Sequence, residues 1–408
     1  RRYAWEHEAA TLRSVYRDLV ALPPAQEPVS APGEGGVPEP SETAVGERRE
    51  GSVVLGIAPA NSAGQAWAWG RAAEARLQDV QACVLSVRNG RYDYPTDVPV
   101  ARTAFAHDST WQAAAAQAAA ATWTHALLEA GRPAFGLLNG RDFRGDAAFL
   151  RQAGVEVGLA LHGSEIRDPR RHAATHAFSP FHDADEPRTA KLQRGCDTLL
   201  PLVRAFDGPK FVSTPDQLDY VPDATWLPVV VDQARWAQGP TILERRVPVV
   251  VHAPSTPWLK GTDLVLQALQ PLVDAGRIEL TLVTGLPPSQ AVELVRTSDV
   301  VIDQVLLGLY GVLACEAMSA GRLVLGHVGD TLRERVPEPV PVVEVTPDTL
   351  VAVLERLLAD PDEARARAAA GPAFVSRFHD GRYSAEVLRD FLGESPTPAG
   401  HDVGAALA

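Results

Sequence analysis

The sequence predicts an α/β chain of two domains, each built on a parallel sheet. Three observations carry that expectation. At 408 residues the chain exceeds what one ordinary core encloses. A hydrophobic content of 46% supplies enough apolar surface to fill two cores. From residue 52 onward short apolar runs alternate with helical stretches, the pattern of parallel strands joined by crossover helices.

Residues 1–20 read as one helix, with Leu12, Val15, Tyr16 and Leu19 at helical spacing. Residues 21–50 are rich in Pro, Gly, Ser and Glu and nearly lack large apolar side chains. Such a segment buries too little surface to offset its ordering entropy and reads as a disordered linker. The first domain, residues 51–232, takes its strands from 53–58, 82–87, 134–138, 155–161 and 211–213. The alanine-rich stretch 110–130 reads as one long helix between two of them. The boundary falls near residues 231–241. The second domain, residues 233–380, has cleaner strands at 249–252, 278–283, 300–302, 323–325 and 342–345. Its helices begin near Thr262, Pro288, Gly311 and Pro347, and Pro271 is expected to kink or divide the first. Residues 381–395 form a last helix and 396–408 a disordered tail.

A net charge of −13 argues against non-specific binding to nucleic acid. It leaves room for a local basic cleft, because a diphosphate needs only one or two cations. Cys83, Cys196 and Cys315 stand far apart without a C-x-x-C pair. They suggest neither a zinc site nor a disulfide framework, so the expected compartment is the reducing cytoplasm. No apolar stretch reaches about 18 residues, and no transmembrane segment is expected. Arg1 opens a charged amphipathic segment, so no signal peptide is expected either. A peripheral seat at the inner face of the membrane is the alternative location.

The chemistry concentrates where the strand-like run 299–302 passes into a glycine-punctuated loop and then a helix carrying Glu316. Free N–H groups at a helix N-terminus favour a diphosphate. A carboxylate one turn further on can accept two hydrogen bonds from a ribose diol. Open parallel sheets bind ligands at the carboxyl ends of their strands, which joins Lys260 and Glu316 into one site. Bland readings stand beside these: a solvated surface lysine, and a glutamate satisfied by a structural hydrogen bond. Asp303 and Gln304 offer polar contacts to a ligand, though Asp303 could equally cap a turn. His162 follows an apolar strand and precedes Gly163 and Ser164, so its ring could face the cleft; a satisfied core histidine is the competing reading. Asp168, Arg170 and Arg171 read as surface charges. The chain has no HExxH, no paired His/Cys ligand set, no G-x-S-x-G, no Walker A run and no D-x-D metal motif in this region.

Residues 303–321 resemble the donor-site loop of retaining GT-B glycosyltransferases of family 4, in which a "G-x-Y/F-G … E-A-M-x-x-G-x-P/L-V" run holds the nucleotide sugar. His252-Ala253-Pro254-Ser255, followed by Lys260-Gly261-Thr262-Asp263, resembles the loop whose lysine meets the diphosphate. Asn61-Ser62-Ala63-Gly64-Gln65 resembles the glycine loop facing the phosphates from the other domain. Leu161-His162-Gly163-Ser164-Glu165-Ile166-Arg167 resembles the "H-G-S-D/E-x-R" segment. Ser213-Thr214-Pro215-Asp216 and Trp226-Leu227-Pro228 resemble the end of the acceptor domain, so the likeness spans residues 52–392.

The resemblance implies a GT-B fold, two Rossmann-like domains facing an interdomain cleft, and transfer, with retention, of a sugar from a UDP- or GDP-sugar to a glycan, lipid-linked or small-molecule acceptor. It implies no metal and no cofactor, the nucleotide sugar being a substrate. Carried over residue by residue, it makes His162 and Lys260 catalytic. Gly64, Ser255, Lys260, Tyr310, Gly311, Val312 and Glu316 would bind the donor, with Asp303, Gln304 and Gly308 near its sugar. Two positions depart from the pattern: Gly308 stands where many members have a glutamate, and Ser255 where many have an arginine. They keep open the reading of a catalytically silent subunit that binds a nucleotide sugar or only a partner; a sugar-nucleotide epimerase on the same fold is the other competing reading. The opening helix, through Tyr3, Trp5, Glu6, Glu8, Ala9 and Leu12, resembles the terminal helix of many members. On that reading the chain is the downstream half of a tandem pair; an ordinary amphipathic helix is the other reading.

Overall fold

The computed structural model describes residues 52–88, 94–236, 239–283 and 288–393, without the side chains of 288 and 289. The expected opening helix at 1–20, the linker at 21–50 and the tail at 396–408 lie outside the described residues.

The first sheet has seven parallel strands: β1 (Val53–Ala58), β2 (Val80–Val87), β3 (Val98–Val100), β4 (His125–Glu129), β5 (Glu156–Leu161), β6 (Lys210–Val212) and β7 (Thr225–Trp226). Their order is β3-β2-β1-β4-β5-β6-β7. The second sheet has five: β8 (Val249–His252), β9 (Glu279–Leu282), β10 (Val300–Ile302), β11 (Leu323–Gly326) and β12 (Val343–Glu344), in the order β12-β11-β10-β8-β9. Helices cover both faces of each sheet, so central strands bury both faces and read as unbroken apolar runs. In β1, Leu55 and Ile57 join the core on one face, while Val54 and Ala58 join the core on the other. In β10, Val300 and Ile302 face one core and Val301 the opposite one.

The alanine-rich segment corrects the sequence reading. Its helix, Ser109–Thr122, is capped by Asp108, whose carboxylate accepts from the Thr110 and Trp111 amides at 3.0 Å each. The helix stops at Thr122, and β4 follows at once, paired with β1 and β5. The Trp123 ring lies on Gly56 so closely that a Cβ there would come within 2.0 Å of it, which anchors the turn from helix to strand. The expected strand at 134–138 is instead a loop. The Ala134 and Phe135 amides donate to the buried Asp146 carboxylate at 2.6 and 3.3 Å, and Gly136 has a φ of +67° that no strand accepts.

Two short edge strands, β3 and β7, escape sequence reading. β3 contains Pro99, tolerable only on an edge. The helix Thr262–Asp274 continues through Pro271, because the proline sits in its last turn and its missing N–H removes one bond near the end. The helix expected near Pro347 begins at Leu350, after a turn in which the Thr346 amide donates to Thr349 Oγ1 at 2.9 Å.

The last helix, Arg382–Phe391, packs back on the first sheet, where Ala385, Leu388 and Leu392 share a core with Trp69, Ala73 and Leu227. The crossing is pinned at Pro228, whose carbonyl accepts from Trp69 Nε1 and Ser384 Oγ at 2.8 Å each. Among the described residues no helix is long and apolar enough to cross a membrane.

Candidate active site

The carboxyl ends of β1, β5, β8 and β10 open on one cleft of about 440 Å³, lined from both sheets. Ser62, Ala63, Gln65, His162 and Arg167 contribute from the first; Ser255, Lys260, Gly311, Val312 and Glu316 contribute from the second, with Arg235 between them. This is the edge where parallel sheets present their loops and helix N-termini.

On the second-sheet wall, Asp303 directly follows β10 and is 1% exposed. Its carboxylate receives the Lys260 ammonium on one oxygen and the Gly311 amide, at 3.0 Å, on the other. Gly311 caps the helix Val312–Ser319. Glu316, on that helix, reaches the cleft without a hydrogen bond from any described residue. Burial pushes its carboxyl up to about 8; Arg235 opposes this, Asp303 adds to it, and Lys260 opposes it more weakly. Ser255 is an exposed residue of the same wall.

At three positions expected near the donor, the side chain, or the place a Cβ would take, is turned to the protein. Gln304 is fully buried. Its Nε2 donates to the carbonyls of Leu309, at 2.6 Å, and His327, while its Oε1 accepts from the Leu306 and Leu307 amides at 2.8 and 2.6 Å. It braces the loop from inside and has nothing left for a sugar. Gly308 has a φ of +67°, and a Cβ there would meet the His176 ring at 3.2 Å rather than the cleft. Tyr310 is buried with its hydroxyl 3.3 Å from His379 Nε2 and its ring edge-on to Phe374, so only its backbone is left for a ligand.

On the first-sheet side, Gly64 stands between the lining residues Ala63 and Gln65, has a φ of +75° and starts the helix Gln65–Arg76. A Cβ there would come within 2.9 Å of the Tyr94 ring, which explains glycine at this point. His162 follows β5. Its Nε2 lies 2.9 Å from Glu129 Oε1, and its ring stacks on Trp69 with centroids 5.6 Å apart and planes 8° apart. Burial alone would lower the His162 pKa, but the hydrogen bond and charge of Glu129, aided by Glu165, reverse this and raise it.

The contrast with His252 is instructive. That ring is also at a strand end, but it contacts the Ile302 carbonyl at 2.8 Å and Thr262 Oγ1 at 2.9 Å, and burial pushes its pKa down to about 4. It is a neutral core histidine. Arg167 is structural as well, its Nε and Nη2 donating to Asp216 at 3.0 and 2.6 Å. Asp168 caps the helix Pro169–Thr175, accepting from the Arg171 amide at 3.0 Å.

Sequence reasoning missed two residues. Glu129 is 0% exposed at the end of β4. An acid closing the apolar run His-Ala-Leu-Leu-Glu was its signal, hidden by the helical reading of that segment. Arg235 is exposed in the stretch joining the sheets, and no local pattern marks it.

No protein-family model matches the chain, and no curated protein matches it. Solved structures do. HepE of Anabaena in complex with UDP and glucose is 13% identical, with a TM-score of 0.54 over 84% of this chain and 100% of that one. Sucrose-phosphate synthase of Thermosynechococcus elongatus is 12% identical, with a TM-score of 0.55 over 84% and 100% of the two chains. A glycosyltransferase of Rickettsia africae is 12% identical, with a TM-score of 0.54 over 84% and 99%. At such identity the likeness is one of fold, and this chain has the GT-B fold: two Rossmann-like parallel sheets facing one cleft.

Proposed function

We propose that the chain is a glycosyltransferase that moves a sugar from a nucleoside-diphosphate sugar, with UDP or GDP as the nucleotide, to an acceptor seated on the first-sheet wall. The observation that carries this reading is the meeting of Lys260, the N-terminus of the Val312–Ser319 helix and Glu316 in one cleft, opposite His162. The structure of HepE with UDP and glucose, a protein of the same fold, supports it.

The parts divide the work as follows. An ammonium has three donors, and Asp303 engages one, which leaves two for phosphate oxygens. Asp303 thus orients Lys260 and holds the head of the helix through Gly311. Glu316 takes the ribose diol. As the sugar–phosphate bond breaks, Lys260 and the helix N-terminus meet the negative charge growing on the leaving diphosphate. Positive charge develops at the anomeric carbon. His162 contacts the reacting sugar or the acceptor hydroxyl, and closing of the cleft over the pair excludes water. The motif resemblance leads us to infer retention at the anomeric carbon and family 4-like chemistry without a metal, and the widely spaced cysteines lead us to infer a cytoplasmic setting.

Incubation with labelled UDP- and GDP-sugars tests the reading. Transfer or slow hydrolysis supports it, and anomeric NMR of the product decides retention. A changed sugar would instead mark an epimerase, and no reaction despite binding would mark a silent subunit.

A further inference from the structure

We infer that Glu129 is the positioning residue for His162, holding one ring nitrogen so that the other is presented to the sugar. The inference rests on the proposed function only for its catalytic consequence. Glu129 ends β4 with no solvent exposure, and a buried carboxylate is costly unless its oxygens are partnered. Both are. Oε2 accepts from the Ala60 and Asn61 amides at 2.8 Å each, and Oε1 lies 2.9 Å from His162 Nε2. One side chain therefore ties the loop after β1, which brings Ser62 and Ala63 to the cleft, to the histidine after β5. A carboxylate has only acceptors to offer, so Nε2 carries the proton in its contact with Oε1.

The neutral ring is thereby fixed in one tautomer. Nδ1, to which no described residue hydrogen-bonds, is the nitrogen left for a hydroxyl. Trp69 fixes the ring plane, so position and tautomer are set by two different neighbours. The charged groups acting on the ring are Glu129 from β4, Glu165 on its own loop and Arg132 beyond β4; the first two favour the charged ring and Arg132 opposes it. Lys260, paired with Asp303, and Glu316 line the far wall of the same cleft.

Glu129→Gln separates this role from simple packing. The new amide keeps the shape and can still accept from the two backbone amides, but it then turns an N–H toward Nε2. The neutral histidine must move its proton to Nδ1. Nitrogen NMR of the His162 ring should show the Nε2–H tautomer in the wild type and the Nδ1–H tautomer in Glu129→Gln, with a lower titration midpoint. Turnover should fall about a hundredfold with little change in donor KM, in the range of a displaced acid–base group. Any pH limb set by His162 should move to lower pH. An unchanged tautomer, midpoint and turnover in the variant would overturn the inference. If the variant fails to fold, the wild-type spectrum decides alone, and an Nδ1–H tautomer there would overturn it. The NMR readout needs no donor. Failure of sugar transfer by the wild type would therefore count against the glycosyltransferase reading and leave the tautomer result standing.

Discussion

The ammonium of Lys260 donates to the carboxylate of Asp303, and the same carboxylate accepts the Gly311 amide at 3.0 Å. The cation proposed for the diphosphate is thus oriented before any ligand arrives. Preorganised donors need not reorganise as charge develops, which is what makes such groups effective.

Lys260→Ala should weaken UDP binding ten- to hundredfold. The loss of a hydrogen bond to a charged group, about 1.5–3 kcal/mol, sets that range. Uridine lacks the phosphates and should bind the variant and the wild type alike. Calorimetric titration of both ligands checks this. Equal losses for UDP and uridine would mean that the lysine supports the wall and not the phosphates.

Glu316 gives the site a pH dependence. Its carboxyl, pushed up to about 8, is mostly protonated at pH 7 in the free protein, whereas two diol hydroxyls donate best to the carboxylate. Binding should therefore release a proton, and affinity should rise as pH climbs through the free-state value. Ionisation grows about tenfold between pH 7 and 9, and UDP affinity should grow by a similar factor. Glu316→Gln should flatten this slope and reduce the preference for UDP over 2′-deoxy-UDP. A slope unchanged in the variant would place the titrating group elsewhere.

Gly308→Glu tests whether the glutamate of the resembled motif can be placed at this position. Its backbone is left-handed with φ at +67°, and a Cβ would press on His176 at 3.2 Å. Gly308→Glu should therefore destabilise the fold by about 1–2 kcal/mol from backbone strain alone, and should not raise turnover. Urea unfolding measures the first and a transfer assay the second. A variant as stable as the wild type and more active would mean that the loop relaxes to accept a side chain at this position.

How much could be read in advance follows from where each signal lives. β1 and β10 were legible because burial on both faces leaves unbroken apolar runs. The glycine-punctuated loop after β10 was legible because glycines and a lone glutamate interrupt an apolar helix start. β4 was not, since the alanines before it favour helix and the packing of Trp123 on Gly56, where the chain turns to strand, is a contact between residues far apart in sequence. With β4 went Glu129, whose partners Asn61 and His162 are 68 and 33 residues away. Gln304 was misread for the opposite reason. A polar pair after a strand suggests a ligand contact, but the side chain turns inward and satisfies its own loop. Local polarity shows that a group needs partners, while tertiary contact decides whether they are protein or substrate.

His162→Ala is the test that divides the two walls of the cleft. The ring contacts Glu129 and Trp69 on the first-sheet side, whereas Lys260, Gly311 and Glu316 belong to the second. Removing it should leave UDP affinity within about twofold, below the 1.4 kcal/mol that a tenfold change represents. Turnover should fall about a hundredfold or more, as for the loss of a group acting on the reacting sugar. Some stability should go too, because one oxygen of the buried Glu129 carboxylate loses its partner while the other keeps two amides. Calorimetry, steady-state kinetics and thermal unfolding on one preparation separate these effects. A variant that loses UDP affinity in proportion to turnover would make His162 part of the donor site. One that loses stability but keeps turnover per folded molecule would make it a core histidine like His252, and the first-sheet wall would then need another catalytic group.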